Sequence, residues 1–221
     1  YMPSQRNQDK ILQQLLQKVK NSHSLTIEFG YIDESSSNTS WSKNRLLFDI
    51  ARENKEINLF KYCITSENIC KIFENHNVPV NPLYVSIDID STDYWVADAI
   101  LSKYKPSILS VEYNANIGLQ YSVSLKNDPT LRWHKDRVFG CSLMAVKFLA
   151  DKYNYKIVAI EKFLDVFLVP KDNEIKELVN LKDYIAYKKC HARCKTNRVH
   201  DFINLATNKQ PNSVFWQHFN A

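Results

Sequence analysis

Apolar residues fall into short dense runs separated by polar turns, and the runs alternate between two periods. Leu25-Thr26-Ile27-Glu28-Phe29, residues 57–64, Leu83-Tyr84-Val85-Ser86-Ile87-Asp88-Ile89-Asp90 and residues 106–114 read as strands. The third is β-branched and apolar at successive positions, the signature of a strand buried on both faces. Between the strands apolar residues recur at helical spacing. Ile11, Leu12, Leu15, Leu16 and Val19 predict a helix over 9–20, and Leu46, Leu47, Ile50 and Ala51 predict one over 41–54. Further helices are predicted through Glu74 behind the cap Thr65–Asn68, over 94–104, and from Ser142 to Tyr153. Residues 156–160 and 166–169 are strands with a five-residue connection, too short for a parallel crossover, so they predict an antiparallel hairpin. The sum is a doubly wound, mostly parallel α/β sheet with an antiparallel edge hairpin and one reversed edge strand. An N-terminal helix (1–24), an α/β domain (25–170) and a basic helical tail (171–221) make up the expected organisation.

Composition changes this picture little. The 221 residues are 44% hydrophobic and 24% charged, ordinary for a globular chain with a real core. A net charge of +5 is too small to indicate nucleic acid unless it clusters. No apolar run approaches the roughly 18 residues of a spanning helix, and no signal-peptide pattern opens the chain. Five scattered cysteines fit a reducing compartment. These features predict a soluble intracellular protein, of the cytoplasm or an organelle matrix.

Chemistry concentrates where the strand at 83–90 hands over to a helix. Asp88, Asp90 and Asp93 lie within six residues at the carboxyl end of a buried strand, the edge at which open α/β sheets bind ligands. A solvated turn needs one such acid, and two more are costly unless something pairs with them. Asp90 and Asp93 are general-base candidates, and His134 in the long 115–138 loop is a third. Asp88, Asp90, Glu112 and Asn114 together are an oxygen-rich set that suits a hard cation such as Mg²⁺. The plainer reading, a hydrogen-bonded cleft with no metal, is preferred. In the tail, Cys190, His191, Cys194 and His200 are too compact for a typical zinc site. Lys182, Lys188, Lys189, Arg193, Lys195 and Arg198 form a basic cluster able to track RNA phosphates or an acidic protein surface. The aromatic end, Val214-Phe215-Trp216-Gln217-His218-Phe219, is of the kind that docks, on its own domain or on a partner.

Several of these strings, taken jointly, resemble one family. They are Ser86-Ile87-Asp88-Ile89-Asp90 with Asp93-Tyr94-Trp95, then Pro106, Glu112-Tyr113-Asn114 and Phe139-Gly140-Cys141-Ser142-Leu143. Upstream, Glu28-Phe29-Gly30, Asp33, Ser37-Asn38-Thr39, Glu67-Asn68-Ile69 and Val78-Pro79 also match. Over residues 25–170 the chain resembles the FkbM-related methyltransferase-like proteins, which have the class I S-adenosylmethionine-dependent fold. The resemblance implies a cofactor cleft built by Glu28, Gly30, Asp33, Asn38 and Asp88, with the acceptor under the 115–138 loop. It also implies an acid ending the second strand to hold ribose hydroxyls, a glycine-rich first loop, and a glycine after the second aspartate. The predicted strand at 57–64 ends without an acid, the first loop has Gly30 alone, and Ser91 replaces the last glycine. These departures predict weak or absent cofactor binding and a structural role in a larger assembly, with protein contacts through the tail. The alternative is an active, possibly hydroxyl-methylating enzyme; the weaker one is an RNA-associated module.

Overall fold

The computed structural model describes residues 7–176, 198 and 200–220. Its strands are β1 (Thr26–Phe29), β2 (Arg45–Asp49), β3 (Leu59–Lys61), β4 (Tyr84–Ile87), β5 (Ile108–Glu112), β6 (Val123–Leu125), β7 (Tyr155–Ile160), β8 (Asp165–Pro170) and β9 (Phe202–Asn204). The helices are α1 (Gln8–Leu16), α2 (Ile69–Asn75), α3 (Asp93–Lys103), α4 (Leu143–Lys152) and α5 (Ser213–Asn220). Seven strands form one sheet in the order β3-β2-β1-β4-β5-β8-β7. The first five pair in parallel, and β8 runs antiparallel between β5 and β7. This is a Rossmann-like, doubly wound, mostly parallel sheet. The hairpin lies at one edge as its connection predicts, with the reversed strand as its inner member.

Alternation along the strands sorts the core into two layers. Ile27, Phe29, Val85, Ile87, Leu109 and Val111 face the side covered by α2, α3 and α4. Tyr84, Ile108, Phe167 and Val169 face the other side, where Leu12 and Leu15 of α1 are buried against them. The N-terminal helix is thus a layer of the α/β domain. Ser142 starts α4 by accepting the Ala145 amide at 3.0 Å, and Thr65 and Asn68 exchange bonds ahead of α2.

Three segments differ from the sequence reading. The expected helix over 41–54 is the strand β2, because Leu46-Leu47-Phe48 lies between two parallel neighbours and is covered from both faces. Ile50 and Ala51, which completed the helical stripe, are exposed. The expected strand at 57–64 shrinks to β3, preceded by a 3-10 turn at Lys55–Ile57. The long 115–138 segment contains β6, which pairs antiparallel with β9 from the far end of the chain. Phe202, Phe215 and Phe219 pack there with Val123, Leu125 and Val138 as a small second core. The aromatic end therefore docks on its own chain, and the described part of the tail includes a strand as well as a helix. Arg198 of the basic cluster pairs with Asp136 and Asp201. Lys182, Lys188, Lys189, Arg193 and Lys195, with Cys190, His191 and Cys194, lie outside the described residues. Among the described residues no helix is long and apolar enough to cross a membrane.

Candidate functional site

The site begins where β1 and β4 leave the sheet side by side. Gly30 turns the chain with φ +76°, and a Cβ there would sit 1.8 Å from the Asp88 carbonyl oxygen. Only glycine fits a backbone pressed that closely on another. One glycine is therefore what this crossing demands. Beside it a cleft of about 430 Å³ opens, lined by Gly30, Asp49, Tyr62, Asp88, Asp90 and Glu112, with Arg132 and Trp133 from the 115–138 segment. Its volume and its place at the carboxyl ends of β1, β2 and β4 are those of a small-molecule site.

The turn from β4 into α3 is held by Asp93. Its Oδ1 accepts the Ile89 amide at 2.8 Å and its Oδ2 the Ser91 amide at 2.9 Å. Burial nevertheless pushes its carboxyl up to about 6. The left-handed residue of the turn is Asp90 (φ 55°), and Ser91 is not left-handed. Aspartate tolerates that conformation better than most side chains. Ser91 therefore occupies its place without needing to be glycine. Of the two aspartates read as bases, Asp93 is committed to the turn and Asp90 lines the cleft.

Asp88, Asp90 and Glu112 each offer a carboxylate oxygen, and these oxygens lie within 4.8 Å of one another. Asp88 is held well above the ordinary carboxylate range by burial, then by Asp165 and Asp90. Glu112 is raised likewise by burial, then by Asp88, Asp93 and Asp90. Asp165, which sequence reasoning missed, stands opposite Glu112 across the β5–β8 pair, and burial pushes it up to about 7. The Gln8 amide of α1 donates to it at 2.5 Å. A carboxylate opening an otherwise apolar strand was the available signal. Asn114 is turned away from this group: its amide donates to the Arg137 and Phe139 carbonyls, and its Oδ1 accepts from Asn116.

The structure places the remaining predicted residues elsewhere. Glu28 lies under the 33–41 loop, accepting the Ser37 and Thr39 hydroxyls at 2.6 Å and the Asn38 and Thr39 amides at 3.1 Å. Burial raises its carboxyl, and these bonds work against that. Asn38 donates to Ser86, which continues through Ser110 to Tyr84 as a buried hydroxyl seam on the α1 side of the sheet. Glu28 and Asn38 thus build the loop beside the cleft. Asp33 is exposed and bonds the Ser35 and Ser36 groups of its own turn. His134 is exposed, while its neighbour Trp133 lines the cleft.

The most consequential residue missed is Asp49. Because β2 is Arg45–Asp49, the second strand does end in an acid, and the expectation that it lacks one is overturned. Asp49 lines the cleft. Burial pushes its carboxyl up, but the Arg52 side chain and the Ala51 and Arg52 amides outweigh this and hold it below its ordinary value. All three of those donors bond Oδ1. The helical reading of 41–54 concealed it, since only a strand assignment makes its position meaningful.

No protein-family model matches the chain, and no curated protein matches it in sequence. Among solved structures it is similar to the N-terminal domain of EvdMO1 with SAH bound, at 10% identity and TM-score 0.42, covering 77% of this chain and 82% of that one. It is also similar to a S-adenosylmethionine-dependent methyltransferase from Clostridium acetobutylicum, at 9% identity and TM-score 0.35, covering 74% and 90%. The small RNA methyltransferase HEN1 matches at 12% identity and TM-score 0.38, over 75% of this chain and 25% of that one.

Proposed function

We propose that the chain is an S-adenosylmethionine-dependent methyltransferase whose cofactor lies across the cleft between Gly30 and Asp49. The observation that carries this reading is Asp49, an ionised acid at the end of β2 beside the Gly30 crossing. The cleft fits the group on three counts: its volume, its clustered carboxylates facing a cationic ligand, and an acid where vicinal hydroxyls would be held. When bound, S-adenosylmethionine supplies a methyl group activated by its sulfonium. Asp49 would accept from the ribose hydroxyls, and Gly30 keeps the cleft floor low by letting β1 pass against β4. Asp90 is the carboxylate placed to take a proton from an acceptor, and Trp133 and Arg132 form the wall beneath which that acceptor enters.

An inactive assembly subunit was the expectation from three departures. An acid does end the second strand, the single glycine sits where one is required, and the position of Ser91 demands none. Each account supports the active reading. Calorimetry of the purified protein with S-adenosylmethionine tests it. Micromolar binding is expected, weakened roughly ten- to a hundredfold by Asp49→Ala, since a hydrogen bond to a charged group contributes about 1.5–3 kcal/mol. Absence of binding at millimolar cofactor would return the chain to a structural role.

A further inference from the structure

We infer that residues 126–139 are a strap that closes over the nucleoside end of the cleft and is latched to the loop leaving β3, so that cofactor enters and leaves when the latch opens. The inference rests on the cofactor reading and adds to it how the bound molecule is held.

The strap is rooted in packed structure. Its two ends meet where the Leu125 amide donates to the Gly140 carbonyl at 2.9 Å, so residues 126–139 form a surface loop of the omega kind. The strand β6 runs into it and pairs with β9, the Lys126 amide donates to the Asp201 carbonyl at 2.8 Å, and Asp136 pairs with Arg198. The Trp95 indole, in the first turn of α3, donates to the Leu125 carbonyl at 2.7 Å. These bonds fix the root on the β4 side of the cleft.

Its tip reaches the opposite lip. Ser66, between β3 and α2, donates to Asn127 Oδ1 at 2.9 Å, and Arg132 Nη2 donates to Cys63 Sγ at 3.4 Å. The strand β3 stands three places from β4 in the sheet, about 14 Å at roughly 4.8 Å per strand, so the strap spans the mouth of the cleft. Arg132 and Trp133 line the cleft beneath that span, and Ile50, Tyr62 and Ile64 line the same end at the exits of β2 and β3. With ribose at Asp49, the base lies over this apolar floor. The guanidinium of Arg132 and the indole of Trp133, both of which stack on flat rings, cover its other face. The latch itself is weak. Cys63, Asn127 and Arg132 are exposed, and a hydrogen bond between exposed groups is exchanged for water at little cost. A fixed root with a solvent-facing tip opens without disturbing the core, as active-site lids do.

The test uses the full chain and S-adenosylhomocysteine, with entry and release followed by tryptophan fluorescence in a stopped-flow instrument. Neither Ser66 nor Asn127 is among the residues lining the cleft, so substituting them reads the latch rather than a ligand contact. Asn127→Ala should speed release about threefold or more, the scale of one surface hydrogen bond. Ser66→Ala gives the same comparison if Asn127→Ala does not fold. Closing the latch covalently should act in the opposite direction. Ser66→Cys with Asn127→Cys, in a Cys63→Ser background, should form a disulfide under mild oxidant and slow both entry and release roughly tenfold or more, with reductant restoring both. Failure of that disulfide to form, or rates in the oxidised variant equal to wild type, overturns the strap and leaves the cofactor reading in place. A wild-type chain that takes up no S-adenosylhomocysteine at millimolar concentration overturns the cofactor reading, and the strap with it.

Discussion

Single atoms decide the character of this cleft. At Gly30 the missing Cβ lets the Asp88 carbonyl approach, and the positive φ adds a second reason for glycine. Gly30→Ala must move the exit of β1 or of β4, so we expect a loss of about 3 kcal/mol or more, as for severe overpacking and strain combined. Urea denaturation checks this, and a loss below about 1 kcal/mol would mean that the two exits are not in contact. Ser91 makes the contrasting case, because the left-handed backbone belongs to Asp90. Ser91→Gly should leave cofactor affinity within about twofold of wild type, measured in the same calorimeter; a tenfold gain would show that the side chain obstructs the site. Asp88, Asp90, Gly30 and Glu112 were legible in sequence because chemistry-bearing residues stood out against apolar strands. Asp165 and the two partners of Glu28, Ser37 and Thr39, were not, since their importance comes from neighbours distant in the chain.

Elements were legible in proportion to how local their cause is. The strands β1, β4 and β5 and the hairpin of β7 with β8 follow from their own apolar runs and connection lengths. The strand β2 does not. Leu46, Leu47, Ile50 and Ala51 satisfy helical spacing, and only pairing to β1 and β3 makes the segment extended. The same holds for β6, whose partner β9 is contributed from beyond residue 200. Mutation separates the two readings of residues 41–54. In a helix Leu47 and Ile50 would be equivalent core positions, whereas here Leu47 is 0% and Ile50 51% exposed. Leu47→Ala should cost about 2–5 kcal/mol and Ile50→Ala no more than about 0.5 kcal/mol in denaturant unfolding. Equal losses would favour the helix and remove Asp49 from the cleft.

At the scale of the whole molecule, the carboxyl edge of the sheet gathers Asp88, Asp90, Asp93, Glu112 and Asp165, of which Asp93 and Asp165 are buried, and the fold's stability should register it. Asp165 gives the clearest measure. Its folded carboxyl titrates at about 7, against an ordinary 3.8, with burial as the main cause. Between those values the folded chain holds a proton that the unfolded chain has released, so stability falls as pH rises. This contribution is complete below about pH 4, is lost through pH 7 and is constant above. Each unit of displacement corresponds to about 1.4 kcal/mol, so the excursion is on the order of a few kcal/mol. His76 opposes the trend on the acid side: burial depresses it, so protonation near and below its ordinary 6.5 favours unfolding. A pH profile of wild type alone would therefore mix these two slopes with those of Glu28, Asp88, Asp93 and Glu112, whose carboxyls burial also raises. Asp165→Asn isolates one, since the amide oxygen can still accept from Gln8 and never ionises. Relative to wild type, the variant should gain melting temperature by several degrees between pH 5 and 7.5, then hold that gain at higher pH. A difference that does not change with pH would mean that Asp165 is solvated and ordinary, and that the acidic edge of the sheet is more open to water than its packing indicates.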